Sequence, residues 1–197
     1  MAMHKVTTWR DDDGFTFPIE PIADTVSITK TPDGFEARYL AQEDDPPDPR
    51  EWDNLGMMVC FHRRYNLGDK IFKTPEAFEE YRNDPTNKAN IVEILPLYLY
   101  DHSGLSMSTG DFNDRWDSGQ VGWIYTTKYQ LDKSGTNPAD AKRILQGEVE
   151  NYDQYLRGDC YILVKVTYHK DKKQADLDTV GGYYGYDDSL AALKTDI

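Results

Sequence analysis

Three stretches of this chain concentrate the side chains that can do chemistry. The first, Asp53 to Asp69, carries Cys60, His62, Arg63 and Arg64; the second, Leu95 to Gly104, ends in Asp101 and His102; the third, Trp116 to Gly122, contains Asp117. The apolar run Gly56 to His62 reads as a short strand, which would put Cys60 and His62 on one face because side chains alternate with period two. A thiolate within reach of His62 or His102 would be a nucleophile with its base. The neighbours Met57, Met58, Val59 and Phe61 oppose this, since an apolar setting raises a thiol pKa and blunts its reactivity. A small enzyme would then have to use His62, Asp101, His102 and Asp117, imidazoles and carboxylates suited to general acid–base work.

Other chemistries fail on spacing. There is no CxxC or HxxxH pair to hold zinc. Asp111 and Asn113 begin like a calcium loop, but Arg115, Trp116 and Gly122 stand where the fifth, sixth and twelfth positions need other residues. No phosphate-binding loop or dinucleotide glycine fingerprint occurs, so the expectation is no metal and no cofactor. Arg63 and Arg64 are expected to pair with Asp53 or Asp69. Asn54-Leu55-Gly56, Asn66-Leu67-Gly68 and Trp116-Asp117-Ser118-Gly119 all read as turns, in which Asn, Asp and Ser bond local backbone and Gly takes the special conformation.

These stretches need a scaffold. Ile22 to Tyr39 predicts a β-hairpin turning at Thr31-Pro32-Asp33-Gly34. Glu43 to Pro49 is acidic and proline-rich and predicts a solvated loop or hinge. Thr74-Pro75-Glu76 predicts a helix start, with Phe78 and Tyr81 on the apolar face and Asn83-Asp84-Pro85 as the stop. Ile91 to Tyr100 predicts a strand in which Pro96 demands an edge or a bulge. Gly119 to Thr127 predicts another, with Gly122 at a bulge. Pro138 to about Arg157 predicts the longest helix, capped by Asn137 and stopped by Gly158, with Ala141, Ile144, Leu145, Val149, Tyr152 and Leu156 at helical spacing. Cys160 to Tyr168 and Ala175 to Tyr184 predict two strands joined by the charged turn His169 to Lys173. The fold class expected is α+β: a mostly antiparallel sheet, one long amphipathic helix packed on it, and short helices in the connections.

Composition sets the remaining bounds. The 197 residues contain 14 Tyr and 4 Trp, ample material for a core without disulfide or metal. Cys60 and Cys160 are expected buried, free and dispensable. The N-terminus has no apolar signal region and nothing is long and apolar enough to span a membrane, so the expectation is a cytoplasmic protein. Net charge is −13, from 35 acidic against 22 basic residues, and −8 of it lies before Val59. Such a chain repels phosphate backbones and favours basic partners. Asp11, Asp12, Asp13, Glu43, Asp44, Asp45 and Asp48 are the candidate binding residues, a row of carboxylates that could occupy a groove lined by Lys and Arg on a nucleic-acid-binding host protein.

The motif DNLGMMVCFHRRYNLGD at 53–69, LPLYLYDHSG at 95–104, WDSGQVG at 116–122, ENYDQY at 150–155 and GYYG at 182–185 together resemble a family of small phage and mobile-element proteins of unassigned function. The resemblance covers roughly residues 50–185. It implies a phage context, and no catalytic residue comes with it. Residues 1–50 read as an acidic hairpin and loop, part of or appended to the α+β family domain at 51–197. The expected function is a non-catalytic binder or inhibitor of a host protein, of the anti-restriction or anti-CRISPR type; the alternative is the small enzyme above.

Overall fold

The computed structural model describes residues 17–197. Asp11, Asp12 and Asp13 lie outside the described residues. The protein is α+β, and its described strands pair antiparallel throughout. Strands β1 (Ser27–Thr31) and β2 (Gly34–Gln42) form the expected hairpin, with Thr31 opposite Gly34. Glycine is needed at position 34 for space: a Cβ there would stand 1.9 Å from the Tyr168 carbonyl oxygen.

Strand β2 does not pair with the strand that follows it. Its partner is β7 (Cys160–His169), along a register running from Gly34 opposite His169 to Gln42 opposite Tyr161. Strand β8 (Gln174–Tyr184) lies on the far side of β7, giving the order β1-β2-β7-β8. The intervening chain builds a second sheet from β3 (Met57–Cys60), β4 (Ile91–Asp101), β5 (Leu105–Ser108) and β6 (Ser118–Thr127), in the order β3-β6-β4-β5. The antiparallel α+β class is as expected, with the strands distributed over two sheets. The described residues accordingly form a split unit, 17–47 with 159–197, and an inserted unit, 48–158. The return crossing, at Gly158, follows from the pairing of β2 with β7.

In the split unit, alternate residues of β2 and β7 face opposite ways. Tyr39, Val164 and Val166 form one core cluster. Leu40 and Leu163 form another with Leu193, beside helix α5 (Tyr186–Ala192).

The inserted unit has three layers. Helix α1 (Pro75–Asn83) starts where expected, with Thr74 Oγ1 accepting the Ala77 N–H at 3.2 Å. Asp84 ends it and at once caps α2 (Pro85–Asn90), accepting from the Thr86 and Asn87 N–H groups. Helix α3 (Lys128–Ser134) follows β6 directly. The predicted long helix opens with a 3-10 turn, Pro138–Asp140, then runs as α4 (Ala141–Arg157) to Gly158, which is left-handed at φ 70°. On one sheet face, Leu145, Val149 and Tyr152 of α4 pack against Met58, Leu95, Leu97, Leu99 and Ile124. On the other, Phe78 of α1 packs with Val59 and Tyr125. Pro96 sits where β4 is paired with β6 alone, since β5 reaches only from Tyr98 onward; the strand shifts register just after it, between Leu97 and Tyr98. Gly122 lies at that shift, and a Cβ there would stand 1.9 Å from the Val59 carbonyl oxygen.

A polar knot joins these layers at the entrance to β3. The Arg50 guanidinium, its side chain only 5% exposed, is gripped bidentately by Asp69 at 2.9 and 3.1 Å and contacts Glu148 at 3.2 Å. It also donates to the Gly56 carbonyl at 2.7 Å. Glu148, on α4, accepts the Leu55 N–H at 2.7 Å and the Gly56 N–H, while Asp69 accepts the Met58 N–H at 2.8 Å. A Cβ on Gly56 would stand 2.8 Å from a Glu148 oxygen and 2.5 Å from Leu145. Burial works against the Arg50 charge, but Asp69 and Glu148 outweigh it and raise its pKa. Burial also lifts the Glu148 carboxyl above its ordinary value, and Arg50 with the Gly56 and Leu55 N–H groups pulls it back only in part.

Two outcomes follow for stability. Leu145→Asp places a charge in the core under α4, and the expected product is insoluble or molten, without near-UV circular dichroism; a well-packed spectrum would contradict the helix placement. Arg50→Met strands two partly buried carboxylates, so the urea midpoint should fall by an amount equivalent to about 3 kcal/mol. Adding Glu148→Gln should recover part of that loss.

Candidate functional site

The second and third motif stretches meet at one end of the inserted sheet. Strand β4 ends at Asp101, whose N–H donates to the Asp117 carbonyl at 2.8 Å. The turn 102–104 then leads into β5, with Ser103 left-handed at φ 59°. His102 Nδ1 lies 2.8 Å from Asp117 Oδ2. Asp117 is positioned by Asp114, which accepts the Trp116 and Asp117 N–H groups at 2.8 and 3.0 Å, while Ser118 Oγ donates to the Asp114 carbonyl at 2.5 Å. The N–H bonds from Asp117 and Trp116 hold the Asp114 carboxyl below its usual range.

The first motif reaches the same place just past β3. His62 Nδ1 accepts the N–H groups of Tyr65 at 3.3 Å and Arg64 at 3.4 Å, and its ring stacks on Tyr65 at 5.0 Å. With Nδ1 an acceptor, neutral His62 carries its proton on Nε2. Tyr65 Oη donates to one oxygen of Asp101 and Arg64 Nη1 to the other, both at 3.1 Å. Arg64 also lies over the Tyr65 ring, 5.0 Å from its centroid. The pairing expected with Asp53 or Asp69 is therefore corrected: Arg64 pairs with Asp101, Asp69 is held by Arg50, and Asp53 meets Lys133. Asp69 faces the α4 side of β3, out of reach of an arginine beyond the strand's end.

His62, Asp101 and Asp117 line one cleft of about 580 Å³, and His102 joins it through Asp117. Its apolar floor is Leu99, Phe61 and Val121, and Arg63, Arg64 and Gln120 also line it. Trp116 lines it too and is 93% exposed. Reading the sequence placed Trp116 in a turn and gave it no further role. Its display depends on Asp114, and the spacing of that Asp from Trp116 and Asp117, two and three residues on, is the Asx-type turn signal that could have found it.

The arrangement can orient and bind, and one group could move a proton. With Asp117 on Nδ1, His102 has Nε2 free to act as a base. A covalent route through Cys60 has no support, because that thiol is absent from the cleft lining and burial, with Asp69 nearby, pushes its pKa up to about 12. Neither cysteine forms a disulfide among the described residues; Cys160 is fully buried, whereas Cys60, expected buried, is only partly so because it ends the short strand β3. Burial raises Cys160 to about 11. Among the described residues no three His, Cys, Asp or Glu side chains converge as a metal site, and no described helix is long and apolar enough to cross a membrane.

The acidic candidates behave differently from one another. In the split unit, Glu43 accepts the Gly182 N–H at 2.7 Å, while Asp44 and Asp45 are exposed. In the inserted unit, Asp48 caps the 3-10 helix Pro49–Glu51, accepting the Arg50 N–H at 2.8 Å.

No protein-family model, curated protein or solved structure matches this chain.

A thiol with a pKa near 12 is about 0.01% ionised at pH 8, against roughly a quarter for an ordinary cysteine. Even allowing for the greater nucleophilicity of a high-pKa thiolate, Cys60 should react with a disulfide reagent roughly fiftyfold more slowly in the native protein than in concentrated guanidinium. Equal rates would contradict the inert thiol.

Proposed function

We propose that the protein is a non-catalytic accessory protein of a phage or mobile element that binds and blocks a host protein, with the cleft beside Trp116 as its recognition surface. The observation that carries this reading is the 93% exposure of Trp116 on a turn organised by Asp114 and Ser118. A tryptophan buries roughly 150–250 Å² when covered, worth about 4–6 kcal/mol of gross hydrophobic gain. Because the turn is already ordered, little conformational entropy opposes docking. Tryptophan beside two arginines is also the composition of interface hot spots. The phage context rests on the motif resemblance.

The acidic-decoy form of this reading draws less support. Glu43 and Asp48 are each engaged with backbone N–H groups of their own unit, which leaves Asp44 and Asp45 as the exposed carboxylates among the four described. A second reading, a small enzyme, is favoured by the His102–Asp117 pair, which would make His102 a general base.

The test is affinity capture from host lysate with the full chain and with Trp116→Ala. Trp116 carries little of the fold, so the variant's thermal midpoint should be nearly unchanged. Recovery of the partner should fall about thirtyfold or more, the loss expected of a hot-spot residue. Capture equal to that of the unaltered chain would overturn the cleft as the docking surface. Turnover of a captured molecule that is lost in His102→Gln while its capture is retained would support the enzyme.

A further inference from the structure

The donors and acceptors around the cleft are unequally occupied. Both oxygens of Asp101 are engaged, one by Arg64 and one by Tyr65. Asp117 has one oxygen on His102. On the donor side, Arg63 is exposed and makes no ion pair among the described residues. Arg64 is 71% exposed and offers further N–H groups beyond the one on Asp101. His62, with Nδ1 turned to the backbone, offers its Nε2 proton. A wall of available donors above the apolar floor of Phe61, Leu99 and Val121 fits a ligand that is anionic at one end and apolar beside it.

Building on the reading of the cleft as a docking surface, we propose that its occupant is an acidic peptide segment of the partner. An Asp or Glu carboxylate lies against Arg63 and Arg64, and a neighbouring aliphatic or aromatic side chain lies between Trp116 and the floor. Guanidinium groups recognise a carboxylate through paired N–H bonds in one plane, which gives this contact direction as well as charge. A nucleic-acid strand is the competing anion, and charge decides against it. Asp101 and Asp117 line the cleft with the arginines and the chain carries −13, so successive phosphates would meet repulsion within about a Debye length, roughly 8 Å. One carboxylate held at the arginines does not extend its charge along that rim.

Gly119 supplies a clean block. It lines the cleft, and a Cβ built on it meets nothing within 4 Å, so Gly119→Phe should fill the site without disturbing β6. The experiment selects a ribosome-displayed random decapeptide library on the full-length protein and measures the leading synthetic peptide by fluorescence anisotropy. The expected result is enrichment of Asp or Glu within two positions of Leu, Phe or Trp. Replacing that acid by its amide should weaken binding about tenfold or more, as should Arg63→Gln in the protein, and Gly119→Phe should abolish it. Far-UV circular dichroism confirms the fold of both variants. The proposal is overturned if no sequence enriches, if enriched peptides lack the acid, if Arg63→Gln leaves binding unchanged, or if oligothymidylate displaces the peptide more tightly than the peptide binds. Host-lysate capture that is lost in Trp116→Ala but intact in Arg63→Gln would remove the acidic peptide and leave the docking surface standing.

Discussion

Arg50 is the residue on which the inserted unit is hung. One guanidinium joins a loop before β3, the Asp69 segment after it, and Glu148 of α4, while the two carboxylates accept backbone N–H groups at Leu55, Gly56 and Met58. Each partner is buried enough that losing one would leave the others uncompensated, which is why such a cluster specifies an arrangement more than it adds net stability. The N–H and C=O groups of a short strand's leading edge must find acceptors and donors somewhere. Here side chains distant in sequence provide them, and the entry angle of β3 is set as a result.

That angle has a consequence at the other end of the strand. Strand β3 is four residues long, so its direction determines where Phe61 to Tyr65 emerge. The Val59–Gly68 bridge and the bond from the Gly68 N–H to Tyr152 Oη return the chain to α4 after the excursion. His62, Arg63 and Arg64 are therefore presented by a closed loop tied at both ends, beside Asp101 and the Trp116 turn. Framework and display use one continuous motif. Asn54, Gly56, Gly68 and Asp69 hold it in place, and the residues between 61 and 65 face the cleft. The density of chemically capable residue types in that motif thus has two separate causes.

The acidity of the chain is also divided in its roles. Asp84, Asp114 and Asp48 organise turns or helix starts, and Asp153 fastens α4 to β5 by accepting from Ser106 Oγ and the Met107 N–H, each at 2.7 Å. These carboxylates answer backbone donors and are tied to local geometry. Others, such as Asp44 and Asp45, are exposed and contribute to the field around the protein. A net charge alone does not distinguish the two kinds.

The local signals in the sequence determined local structure well. The Pro32-Asp33-Gly34 turn, the Thr74-Pro75 helix start, the irregularity near Pro96 and the span from Asn137 to Gly158 are all recorded in residues within a few positions of where they act, because dihedral preference and capping are short-range effects. Helices α3 and α5 escaped because each begins as a strand ends, and neither N-cap residue, Thr127 or Gly185, makes a side-chain capping bond to the helix backbone. The division into two sheets was decided by tertiary structure, since a strand's pattern shows which face is apolar and is silent on which strand lies beside it. The same holds for the cleft. His62, Asp101, His102 and Asp117 could be named as candidates by type, but the Arg64–Asp101 and His102–Asp117 pairings and the exposure of Trp116 exist only once β4 and β6 are in register and the loop after β3 is closed. Side-chain type is a property of the chain, whereas distance and exposure belong to the packed fold.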